Sequence, residues 1–136
     1  TNRRQDMGAK SYLESRVEAI QFVLPEHLNH MGNMHGGEIM KLMDNTAGLV
    51  FMRHAEGRAV TAAVNNLRII KPIPANQIIK CIAEIMTTGR TSMEVQVELF
   101  IEDVEEGVSH KVAEGTFIGV AIDEEGNSRT VSKIER

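Results

Sequence analysis

From Glu38 to His54 the chain carries no proline and one glycine, Gly48, and everything after Gly57 changes rhythm. Within that run Ile39, Met40, Leu42, Met43, Ala47, Leu49, Val50 and Phe51 recur at helical spacing and cover much of the circumference. This predicts one long helix from Gly36 to about Ala55, enclosed by the rest of the chain rather than lying on its surface. A single enclosed helix needs a sheet curved around it.

The remaining segments supply such a sheet. Ser15–Val23 reads as a first strand closed by Pro25, and a polar loop runs on through Met34. Beyond Glu56-Gly57 the period becomes two, with strands expected at 59–70, 77–87, 91–101 and 110–122. In the third of these, Met93, Val95, Val97, Leu99 and Ile101 alternate with Ser92, Glu94, Gln96 and Glu98. Ala113, Gly115, Gly119 and Ala121 share one face of the last strand and would let the helix lie close. Residues 1 to about 14 read as a polar, loosely packed arm, and 124–136 as a turn and a short polar tail. One domain spanning 1–136 and an α+β layer architecture follow.

The candidate chemistry lies where the helix begins. Asn33-Met34-His35-Gly36-Gly37 leads into it, and Asp44 follows two turns later on a stripe with Gly37, Met40, Gly48 and Phe51. The first N–H groups of a helix are unpaired and face a positive dipole end, and glycine lets a ligand atom come close. Taken singly, Gly36-Gly37 is a tight turn, His35 a capping residue and Asp44 a solvated side chain. Amide, imidazole, two glycines and a carboxylate together form a constellation able to hold an oxyanion beside a base.

Asn33-x-His35-Gly36-Gly37-x6-Asp44, continued by Ala47-Gly48, Thr61-Ala62-Ala63-Val64 and Lys71-Pro72, resembles the hotdog-fold acyl-CoA thioesterases. The likeness runs from about Val17 to Ile122 and is strongest to short bacterial acyl-CoA hydrolases and brain-type cytosolic acyl-CoA hydrolase. It implies a hotdog fold and hydrolysis of fatty acyl-CoA to a free acid and coenzyme A. Asp44 would be general base or nucleophile, and the Gly36 and Gly37 N–H groups the oxyanion hole. Asn33 of one subunit would face Asp44 of another, and His35 would orient the thioester oxygen. The resemblance also implies a homodimer that assembles further, into a tetramer or hexamer. Two alternatives stay open on the same fold: a non-catalytic acyl-CoA-binding module, and a dehydratase acting on acyl-carrier-protein thioesters. The dehydratase relatives usually carry a His-Phe-Pro-Gly loop, which this chain lacks.

Coenzyme A brings phosphates to a chain of net charge −4, so basic groups must be placed locally. Arg68 and Lys71 after the second strand, and Arg90-Thr91-Ser92 opening the fourth, are the candidates, with ordinary surface solvation as the competing use. Val64 and Ile69 would line the acyl or pantetheine path, or simply the core. The acidic balance and the absence of tryptophan argue against nucleic acid. His27, His30 and His35 crowd one loop, yet no cysteine lies nearby and no metal is expected. No cofactor is expected either, since coenzyme A is part of substrate and product. No run reaches the roughly 18 apolar residues of a membrane span. Cys81, the one cysteine, sits in an apolar strand, which suggests a reducing cytoplasm and an inert thiol.

Overall fold

The structure, a computed structural model, describes residues 8–135. In chain order its strands are β1 (Lys10–Ser11), β2 (Val17–Phe22), β3 (Ala59–Ile69), β4 (Ile78–Thr88), β5 (Ser92–Asp103), β6 (Val108–Ala121) and β7 (Ile134–Glu135). The helix α1 is Gly36–Ala55, and two short 3-10 turns occupy Tyr12–Glu14 and Pro25–His27. Strands β2 to β6 form one antiparallel sheet in the order β2-β4-β5-β6-β3. The helix lies along its concave face, the architecture expected of a hotdog fold.

The alternation seen in the sequence explains how the sheet grips the helix. Ile79, Cys81, Ala83 and Ile85 of β4 and Met93, Val95, Val97 and Leu99 of β5 are fully buried inward, while their neighbours face out. Met43, Ala47, Val50 and Phe51 of α1 meet them. The small-residue face of β6 is as expected, and at Gly119 it has no slack. A Cβ there would fall 2.6 Å from the Phe51 ring. The outer face instead carries ion pairs among Arg68, Glu98, Lys111 and Glu114.

One side of α1 departs from expectation. Met40, Leu49 and Met52 are about half exposed, because a single sheet of this width wraps only one face of a helix. At the helix C-terminus Glu56 takes the left-handed conformation (φ 53°) and its N–H donates to the Met52 carbonyl.

The polar arm and polar tail expected from the sequence require correction. Residues 1–7 lie outside the described residues, but 8–14 carry β1 and a turn capped by Ser11. Lys10 is 5% exposed: its ammonium donates to the His54 carbonyl at 2.8 Å and pairs with Glu56 at 2.9 Å. In the tail Val131 and Ser132 are buried, and β7 pairs in parallel with β1. Arg129 donates to the Ala55 carbonyl at 2.7 Å, and His54 Nε2–H donates to the Ser132 carbonyl at 2.7 Å. Two cations therefore meet the negative dipole end and unpaired carbonyls of α1. Charge made these segments look solvated, whereas the helix end supplies the partners.

Candidate active site

Helix α1 is capped by its own histidine. The N-cap residue is His35, in extended conformation, and its Nδ1 accepts the Gly37 N–H at 3.0 Å. The neutral ring therefore carries its proton on Nε2. The cap residue is itself anchored, since the His35 N–H donates to the His27 carbonyl and the Met34 N–H to that of Ile73, both at 2.7 Å. Of the two candidate oxyanion donors, the Gly37 N–H is thus engaged, and the Gly36 N–H has no partner among the described residues. A Cβ on Gly36 would make only ordinary contact with Ile69, at 3.8 Å, which places Ile69 over the helix start.

Two turns along, Asp44 is half-buried and Thr61 Oγ1 donates to its Oδ1 at 2.7 Å. Irregular pairing of β3 with β6 makes this contact possible. Thr61 lies opposite Gly119, Ala63 opposite Ile118 and Val64 opposite Phe117, so an extra residue enters between Thr61 and Ala63. In a regular strand, positions three apart point to opposite faces; the bulge turns both Thr61 and Val64 toward the helix. A second irregularity follows between Asn65 and Arg68, with Asn66 at φ 54°.

These groups line an open cleft of about 470 Å³ bounded by Gly37, Met40, Lys41, Asp44, Thr61, Val64 and Phe117. A carboxylate held by one hydroxyl, with Oδ2 unengaged among the described residues, faces a largely apolar hollow at a helix start. Such an arrangement can activate water or attack an acyl carbon directly.

The other expected residues are distributed around this cleft rather than in it. Asn33 is half-buried in the loop before α1, where its N–H donates to Asn29 Oδ1 and it bridges Pro74. It does not line the cleft of its own chain. His35 is exposed beside the helix start. Arg68 pairs with Glu114 at 3.2 Å, and Lys71 is exposed past the end of β3. Arg90, Thr91 and Ser92 lie at the opposite end of the sheet, where Ser92 pairs with Val120 and Val120 with Val60. At roughly 3.3 Å per residue, Val120, which pairs with Ser92 and Val60, and Ala113, the partner of Ile69 at the end of β3, are about 23 Å apart. One chain therefore cannot set Arg90 and Lys71 on the same phosphate. Thr61, Met40, Lys41 and Phe117 escaped the sequence reading as cleft residues. Among the described residues no three metal-binding side chains come together, and Cys81 is buried with its thiol pushed up to about 11 by burial, Thr46 opposing.

Comparison with known proteins bears directly on this cleft. The model of the thioesterase superfamily matches residues 31–108. An acyl-CoA thioester hydrolase of Haemophilus influenzae is 33% identical over 113 residues, 81% of this chain and 73% of that protein. Among solved structures, the acyl-CoA hydrolase of Staphylococcus aureus, in complex with butyryl coenzyme A, coenzyme A and coenzyme A disulfide, superposes with TM-score 0.91. Its identity is 32%, covering 93% of this chain and 77% of that one. That enzyme has also been solved with an aspartate, an asparagine or a threonine replaced by alanine. A hexameric acyl-CoA thioesterase gives TM-score 0.90 at 29% identity over 94% of this chain and 82% of the other.

Proposed function

The chain belongs to the thioesterase superfamily, among the acyl-CoA thioester hydrolases, and from that premise we propose how its own residues cleave the substrate. It hydrolyses acyl-CoA to a free acid and coenzyme A. The observation that carries the residue assignment is the Thr61–Asp44 hydrogen bond inside the cleft that begins at Gly37.

The thiolate of coenzyme A is a good leaving group, so the enzyme needs a base or nucleophile, an oxyanion site and a grip on the acyl chain. Thr61 fixes one oxygen of Asp44, and Oδ2 is left to take a proton from water or to attack the carbonyl. The Gly36 N–H is the free donor for the developing oxyanion, and the Gly37 N–H joins it when the His35 ring turns away. Met40, Val64 and Phe117 supply the apolar wall against which the acyl group lies. Asn33 is assigned to the cleft of a paired subunit, where its amide would hold the water opposite Asp44.

That assignment requires a homo-oligomer. Strand β3 supports one: eleven residues long, at the sheet's edge and exposed along most of its length, it carries Val60, Val64 and Ile69 at the surface. Bare apolar edges of this length are normally covered by another strand. The hexameric relatives and the half-exposed Met40, Leu49 and Met52 agree with assembly through a dimer. We place the enzyme in the cytoplasm on its single, unpaired cysteine. No helix among the described residues is long and apolar enough to cross a membrane.

Free-thiol release from short, medium and long acyl-CoAs tests the activity and separates it from mere binding. Asp44→Asn should lower kcat by at least about a hundredfold. Thr61→Ala, losing one hydrogen bond to a charged group, should lower it about ten- to thirtyfold, while Thr61→Ser retains most of it. Undiminished turnover in Asp44→Asn would remove the carboxylate from the mechanism.

A further inference from the structure

Gly48 is a residue of α1 that the catalytic assignment leaves without a use. It stands well inside the 20-residue helix, where only proline is a poorer helix former than glycine. The packing of the chain does not call for it. Among the described residues, a Cβ at Gly48 would meet nothing within 4 Å beyond its own stretch of helix. One at Gly119 would strike the Phe51 ring, and one at Gly115 would lie 3.0 Å from Leu67. The backbone does not require glycine either, since Gly48 is helical and its φ is not positive. The residue is half-buried, so the missing side chain leaves a notch open on the helix surface.

The position of the notch relates it to the chemistry. Gly48 follows Asp44 by four residues, so it lies on the same side of α1, about 6 Å further along the axis. The helix wall of the cleft is made by Gly37, Met40, Lys41 and Asp44 and stops there, so the notch continues the cleft past the carboxylate. Its borders are apolar. Phe51 is buried on the inner side, and Leu49 and Met52 stand about half exposed on the outer side. From Asn45 to Met52 the helix has no charged residue. Helices that approach each other closely repeat small residues four apart, whereas the positions four before and four after Gly48 are Asp44 and Met52. A single missing side chain suits one alkyl chain instead.

We propose that Gly48 determines the acyl length this enzyme accepts: the tail of a long, unbranched acyl group passes through the notch over Gly48 and ends against Leu49 and Met52. This rests on the thioesterase reading above and adds to it a substrate class, the long-chain acyl-CoAs. A short acyl group such as butyryl, held with its carbonyl at Asp44, ends within the cleft. A longer tail removes its methylenes from water over the bare helix backbone, and the unbranched thioether side chain of Met52 adapts to its end.

The test measures kcat/KM of Gly48→Ala and Gly48→Leu on butyryl-, octanoyl- and palmitoyl-CoA, with Tm and oligomeric mass recorded for each variant. Replacing a helix glycine where no neighbour is crowded should hold or raise Tm in Gly48→Ala, so this variant reports on the path even if Gly48→Leu folds poorly. The ratio of kcat/KM for palmitoyl- to that for butyryl-CoA should fall about ten- to two-hundredfold in Gly48→Leu, the range for misfitting a methylene in an apolar pocket. A smaller fall in the same direction is expected in Gly48→Ala. A ratio unchanged in both variants, or an equal loss on all three substrates, would overturn the proposal. A changed oligomeric mass with an unchanged ratio would overturn it too, by giving the notch to a neighbouring subunit. Thiol release from butyryl-CoA alone by the unaltered enzyme would likewise refute it. Release from none of the three would instead strike at the thioesterase assignment itself.

Discussion

Adding one methyl group at Gly119 should disturb both stability and catalysis. Its Cβ would lie 2.6–2.7 Å from three atoms of the Phe51 ring, and that ring is 1% exposed, with no solvent into which to swing. The helix must therefore lift from the sheet or Phe51 must leave its rotamer, an overpacking cost of about 1–3 kcal/mol. For a domain of this size that lowers Tm by about 3–15 °C. Gly119 also pairs with Thr61, so lifting α1 stretches the hydrogen bond to Asp44 and kcat should fall with Tm. Thermal melts of Gly119→Ala, Phe51→Leu and the double variant, all at one protomer concentration, test this. Phe51→Leu alone loses packing, but in the double variant it makes room for the methyl. The pair should then be less destabilised than the sum of the single changes, with a coupling of about 0.5–3 kcal/mol. An unaltered Tm in Gly119→Ala, or strict additivity in the cycle, would refute the close-approach argument.

Two further outcomes are expected. Mixing inactive Asn33→Ala with inactive Asp44→Ala protein, under conditions that exchange subunits, should regenerate activity in mixed dimers with one intact site; exchange without recovery would place both residues in a single chain's site. Burial raises the Cys81 thiol from 9.0 to about 11, so folding favours its protonated form. That contribution is complete below pH 9, declines as pH rises toward 11, and can reach about 2–3 kcal/mol. Denaturant melts across this range should show the loss in the native enzyme and little of it in Cys81→Ala.

Periodicity carried the fold. The helix ends where Glu56-Gly57 breaks it, and the strands on β4 and β5 follow their alternating residues to within a residue or two. Local turn chemistry also located Gly37 and Asp44 on one side of α1, and both line the cleft. What escaped was the register of β3. Neither glycine nor proline marks its bulges, and of the two asparagines there, Asn65 and Asn66, only Asn66 takes the left-handed backbone. A straight reading of β3 sets Thr61 and Val64 back to back, so the partner of Asp44 could not be recognised. Phe117 was hidden among the small residues of its own face. The ends of the chain misled for another reason: Lys10 and Arg129 look like solvated charges until the carbonyls of α1, more than forty residues away from Lys10, are brought to them.

That clasp gives the molecule an order of assembly. Arg129, Ser132 and β7 leave the ribosome after every element they close over, so a growing chain can pair β2 to β6 and still present the end of α1 uncovered. A protein clipped just before Arg129 would keep Asp44, Thr61 and the cleft, yet lose the Arg129 and Ser132 partners of α1, leaving a helix end that frays.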